Sequence, residues 1–169
     1  MKKLSFLTPF LISAFLSAQV AIGKSVLESS SSSIEFGDEN RGIVLPWVTD
    51  TTSVQNAVNG TLIYDTSDHK VKAYENNAWV DLSVDTTGTA DTALQDPLNE
   101  NTDAKVAIGT PTATPGILVL EDDDKAMILP KVADPHLNII APAPGMMVYD
   151  TNKKLLAVFN GSVWTFWGE

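Results

Sequence analysis

The chain has 169 residues, 21 acidic against 11 basic, a formal charge of -10 and no cysteine. Such a charge repels phosphate backbones and anionic lipid, which sets aside nucleic-acid and membrane-surface binding. The absence of cysteine removes disulfides, thiolate nucleophiles, thiolate metal sites and a lipid-modified N-terminal cysteine.

MKKLSFLTPFLISAFLSAQ opens the chain, with Lys2 and Lys3 ahead of an apolar run from Leu4 to Leu16 and small residues Ser17 and Ala18 before Gln19. That order is a secretory signal peptide, and cleavage is expected after Ala18. The run is too short to span a bilayer, and no later stretch has the length and apolarity to do so. Removing two of the 11 lysines and arginines leaves 9 against 21 acids and a charge of -12. The expected location is outside the cell or on the surface of a Gram-negative-type bacterium.

Residues 19–83 and 105–169 read as two tandem copies of one unit. VAIG at Val20 recurs at Val106, GIVLPWVTD at Gly42 recurs as AMILPKVAD at Ala126, and GTLIYDT at Gly60 recurs as GMMVYDT at Gly145. KVKAYENNAW, ending at Trp79, then matches LLAVFNGSVW, ending at Trp164, and the offset stays between 84 and 86 throughout. Similarity at a fixed spacing within one chain means one structural unit used twice.

Within a unit the apolar pattern is short, and no 3.6-residue period appears. After the low-complexity serines Ser29 to Ser33, SIEFG is the first strand expected to pair; ILVLE at Ile117 takes its place in the second copy. An apolar strand then stops at Leu45-Pro46 or Leu129-Pro130, and the ten or so residues beyond are expected to hold a helical turn. Leu62 and Tyr64 alternate with Ile63, the DTSDHK turn follows, and Val71 and Ala73 mark a second strand. Asn76-Asn77 and Asn160-Gly161 tolerate the positive φ of a tight hairpin. Each unit therefore ends in a three-stranded meander. The fold expected is all-β: two small β-meander or hairpin modules joined by a linker. Leu62, Tyr64, Val71 and Trp79, with Met147, Tyr149, Leu156 and Trp164, are expected on buried hairpin faces.

Residues 84–104 carry five acids, no basic residue and few large apolar side chains. Such a segment buries little surface and reads as a linker, open to proteolysis that would release two protected fragments.

No catalytic residue, cofactor or metal site is expected. The two histidines, His69 and His136, fall at non-equivalent places, whereas a duplicated active site would have duplicated its base. The acids at Asp38-Glu39 and at Glu121 to Asp124 lack the spacing that folds a loop around calcium. Matched aromatics, Tyr64, Tyr74 and Trp79 with Tyr149, Phe159 and Trp164, read as cross-strand pairs. Trp47 and Trp167 face Lys131 and Leu82 in the alignment of the copies, which makes them the candidates for ligand contact. Asp50-Thr51-Thr52, Asp85-Thr86-Thr87 and Asp91-Thr92-Ala93 fit the acceptor pattern of bacterial O-glycosylation, with Thr51, Thr86 and Thr92 as acceptors.

GIVLP followed by G-T-L-I-Y-D-T and K-V-K-A-Y-E-N-N-A-W resembles bacterial secreted surface proteins, and its second part is similar to repeats in phage tail fibres. The resemblance implies β-rich stalks or heads, often associated in threes, and transfers no catalytic residue. The function expected is that of an exported, non-enzymatic structural or adhesion protein. The other reading is a lectin-like module that binds carbohydrate through exposed aromatics. Its partners would be a glycan or a cell-surface protein.

Size points to self-association. Units of about 60 residues bury only ~60% of their chain surface and are marginal without staples. The second copy has Leu155, Ala157 and Phe159 where the first has Lys70, Lys72 and Tyr74, and Phe166 and Trp167 extend that apolar face. A partner chain is expected to cover it, in a homo-oligomer for which the fibre resemblance favours three chains.

Overall fold

The computed structural model describes residues 19–168 apart from 100 and 102; the expected signal peptide lies outside them. The first copy folds as β1 (Val20–Ile22), β2 (Ser32–Phe36), β3 (Ile43–Val44), β4 (Trp47–Val48), β5 (Leu62–Asp65), β6 (Lys70–Glu75) and β7 (Ala78–Asp81). The second repeats that order as β8 (Val106–Ile108), β9 (Leu118–Leu120), β10 (Ala126–Met127), β11 (Lys131–Val132), β12 (Met146–Asp150), β13 (Leu155–Phe159) and β14 (Trp164–Trp167). The fold is all-β. The helical turn expected after each Leu-Pro is a 3-10 turn at Thr51–Ser53 in one copy and α1 (Pro135–Asn138) in the other. No helix among the described residues is long and apolar enough to cross a membrane.

The expected meanders are present. β5, β6 and β7 pair antiparallel in the first copy, as do β12, β13 and β14 in the second. Their turns use positive φ at Asn76 and Asn77 and at Gly161, a conformation these residues adopt at low steric cost. The matched aromatics meet across the strands: Tyr74 lies opposite Trp79 with ring centroids 5.1 Å apart, and Phe159 opposite Trp164 at 5.3 Å.

Strands too short to announce themselves complete each sheet. β4 joins β5 and β11 joins β12 in parallel, directly after Pro46 and Pro130. The fixing bonds are the same in both copies. Tyr64 N–H donates to the Pro46 carbonyl at 2.9 Å, and Tyr149 N–H donates to that of Pro130 at 2.9 Å. β1 pairs β2, and β8 pairs β9, also in parallel.

The copies exchange strands. β3 leaves the first copy and pairs antiparallel with β12, Val44 opposite Met146 and Ile43 opposite Met147. β10 leaves the second copy and pairs in parallel with β2, Met127 opposite Ile34. One core therefore belongs to both halves: Leu45, Tyr64 and Val71 of the first pack with Met147 and Val158 of the second. The fragments expected to separate on cleavage are held together by backbone pairing and a shared core.

A second core lies wholly in the second copy, where Val132, Ile139, Val148 and Ala157 pack with Met146, Trp164 and Phe166. This is the apolar face expected to need a partner chain. Its centre is closed within the chain, where Ile139, just beyond α1, and Phe166 lie over the fully enclosed Ala157, while Leu155, Phe159 and Phe166 stay half-buried and Trp167 is 53% exposed. In the first copy the position matching Ala157 is Lys72. Its ammonium lies 2.6 Å from Asp68 and 3.0 Å from Asp65, so charge pairing replaces apolar packing there.

Candidate functional site

The repeated Tyr-Asp-Thr builds a turn and a junction, residue by residue. The Asp65 carboxylate, 2% exposed, accepts from Ser67 N–H at 2.9 Å and from the Ser67 hydroxyl at 2.6 Å. Asp150, fully buried, accepts from the N–H groups of Asn152, Lys153 and Asp134 at 2.9, 3.1 and 3.3 Å. Burial pushes both carboxyls up, but bonds from Ser67 and Lys72 to one, and from those three N–H groups to the other, hold both below the ordinary aspartate value. The threonines fasten the neighbouring strand, since Thr66 N–H donates to the Val48 carbonyl at 2.9 Å and Thr151 N–H to that of Val132 at 3.2 Å.

Tyrosine distinguishes the copies. Tyr64 is fully buried, and its hydroxyl donates to the Asn160 carbonyl of the second copy at 2.6 Å. Burial raises its pKa to about 12, with Asp68 and Asp65 adding to the shift. Above the ring lies Gly145, φ +75°, where an added Cβ would stand 2.7 Å from Tyr64 Cβ. Tyr149, expected on a buried face, is instead 36% exposed. Its strand position matches that of Tyr64, but among the described residues nothing comparable to the Asn160 hairpin covers it.

Trp47 belongs to the same junction. Its indole N–H donates to the Pro144 carbonyl at 2.8 Å, and its ring lies 6.1 Å from that of Tyr64. Trp167, the other ligand candidate, is 53% exposed at the end of β14. Among the self-association candidates, Leu155, Phe159 and Phe166 are half-buried, and the Lys153 ammonium sits 4.3 Å over the Phe166 ring.

The beginning of the expected linker lies in the junction as well. Asn160 donates its amide to the Asp85 carboxylate at 2.8 Å, and the Ser162 hydroxyl donates to the Thr87 carbonyl at 3.0 Å. Backbone lies against backbone here: a Cβ on Gly88 would fall 2.0 Å from the Asn160 carbonyl oxygen, and Ala90 packs against the shared core. Sequence reading missed this contact, although the small residues Gly88 and Gly161 were its trace. Beyond it Leu94 and Leu98 are exposed, at 83% and 71%.

The Asp-Thr patterns are local turns. Asp50 accepts from Thr52 N–H at 2.7 Å, Asp85 from Thr87 N–H at 2.8 Å, and Asp91 from Ala93 N–H at 3.0 Å. Thr51 and Thr92 are half-buried and Thr86 is exposed. Local bonds also occupy the acidic segments, where Asp122 accepts from the Ser33 hydroxyl, Glu121 from Thr112, and Glu39 pairs with Arg41. His69 lies beside the Tyr64 hydroxyl at 3.4 Å, and His136 stands edge-on to Phe166.

The site is thus an interface, built of strand edges, a buried tyrosine and a glycine that admits it. No curated protein and no solved structure gives a significant match to the chain. A family described as the phage tail like trimerisation region matches residues 21–95 and 107–168, one stretch for each copy. The chain belongs to the phage tail like trimerisation region family.

Proposed function

We propose that this chain is an exported, non-enzymatic structural protein that assembles into a homotrimer, as a tail-fibre-like element at or outside the cell surface, with adhesion as the role of the assembly. The observation that carries the reading is the family match over both copies, in a chain whose two units complete two of their sheets by exchanging strands. Such a unit is not self-sufficient, and association is the usual remedy when disulfides are lacking. Trp167, exposed at the end of a strand, is the residue best placed to meet a glycan or a surface protein. Multi-angle light scattering on residues 19–169 at ten micromolar tests the assembly. Three chain masses are expected, and a concentration-independent monomer would overturn the reading.

A further inference from the structure

The two copies differ in what covers them, and the differences run in one direction. β2 has β1 on one edge and β10 on the other, and Ser32 to Glu35 are buried. Its counterpart β9 has only β8 beside it among the described residues, and Ile117 and Leu118 are 59% and 46% exposed. β12 carries β3 along Met146–Met147. The matching Thr61–Leu62 segment at the start of β5 has no such strand among the described residues. Gly145 is pressed onto Tyr64, whereas Gly60, its counterpart with φ +95°, has nothing within 4 Å. Tyr64 is buried and Tyr149 is not. These contacts of the first copy onto the second are made, and among the described residues their counterparts from the second onto a first copy are missing.

We propose that a second molecule of this chain supplies these contacts, head to tail, by repeating the internal junction; closure of the ring at three chains rests on the trimeric reading above. The internal register transfers directly. Val44 opposite Met146 becomes Ile128 opposite Thr61 of the next molecule, and Ile43 opposite Met147 becomes Met127 opposite Leu62. Met127 opposite Ile34 becomes Ile43 of that molecule opposite Leu118, so its β3 adds to β9. Tyr149 then lies under Gly60, with its hydroxyl directed at the Glu75 carbonyl, as that of Tyr64 is at Asn160.

Side-chain volumes support the transfer. At the internal junction a Cβ on Gly42 would stand 2.5 Å from the Met146 side chain. At the outer one the corresponding residues are Ala126 and Thr61, so the added methyl on one side is offset by a shorter side chain on the other. The two open surfaces are different patches of one molecule, which makes the interface heterologous. Such interfaces close into rings when the rotation permits.

The absence of cysteine makes the register testable by disulfide trapping. Antiparallel partners have Cα atoms about 4.5–5.5 Å apart, within disulfide reach. The double variant Thr61→Cys/Ile128→Cys, mildly oxidised while folded, should run mostly as a covalent trimer on a non-reducing denaturing gel. Mixing and reassembling the two single variants should give covalent dimers, whereas each alone should give none. Val44→Cys/Met146→Cys should close within the chain and leave the monomer band. A trimer by light scattering whose double variant forms no intermolecular bond would overturn this interface and leave the trimeric reading standing. A monomer by light scattering with no bond would remove both.

Discussion

At the scale of single residues the aspartate of Tyr-Asp-Thr matters more than its tyrosine for the turn itself. Asp150 gathers three N–H groups on Oδ1, while Oδ2 has the Lys153 ammonium at 3.7 Å and no hydrogen-bond partner. Asparagine keeps an oxygen that can accept those bonds and alanine does not. Asp150→Ala should therefore cost about 1–3 kcal/mol and Asp150→Asn less than about 1 kcal/mol, read from urea midpoints. Equal losses would mean that charge, not acceptance, holds the turn. The recurrence of Asp in the sequence was legible, but its burial was not, because the pattern Gly-apolar-Tyr-Asp-Thr marks a strand end without saying what lies over it. Tyr64 and Tyr149 show the same limit. Local sequence gives them equal places, and the second copy's Asn160 hairpin and Gly145, lying against Tyr64, bury it while Tyr149 stays exposed.

Among the elements, β2 and its serine-rich approach depend on Glu35. This carboxylate, 2% exposed, accepts from the N–H of Glu28 at 2.8 Å and of Ser29 at 2.9 Å, with the Lys24 ammonium at 3.0 Å. The Glu28 N–H bond lowers its pKa most; burial opposes it, and Lys24 and the Ser29 N–H bring it down to about 2. Because the folded value lies below the unfolded one, stability from Glu35 is present above about pH 4.5. It is lost as pH falls through that value toward 2. Glu35→Gln should flatten this part of the pH dependence of the urea midpoint; an unchanged acid limb would exclude Glu35 as its source. The second copy has Val119 at that place, and the carboxylate that ties its loop to β9 is instead Glu121, which accepts from Thr112 N–H at 3.0 Å with the Lys105 ammonium at 3.9 Å. The hairpins could be read from the sequence because alternation and Asn or Gly turns leave a local mark. Two-residue strands have no period to detect, which is why β4 and β11 were missed. The exchange of β3 and β10 could not be read either, since a strand edge does not name its partner.

For the whole molecule, cleavage and separation are different events. Asp91 to Ala104 begins beyond the docked residues Asp85 to Ala90, and Leu94 and Leu98 are exposed within it. Limited proteolysis should nick the chain there. The two pieces should nevertheless co-elute in size-exclusion chromatography and part only under denaturant, because β3, β10 and the shared core join them. Separate elution of the pieces under native conditions would contradict the strand exchange. The duplication and its all-β character were thus legible from sequence, whereas the way in which two units make one core was not.

The strand exchange also fixes an order of events during synthesis. The first copy cannot fill its core until Met147, Val158 and the Asn160 hairpin exist, close to the end of the chain. Contacts over such separations make folding slow, because loop closure must precede the reward of pairing. Until then the edges of β2 and β3 stand open, and open edges invite pairing with whichever chain is nearest. Every nascent chain therefore passes through a stage in which its own second half and its neighbours compete for the same backbone. The local concentration of newly made chains then becomes a variable of folding as much as of assembly.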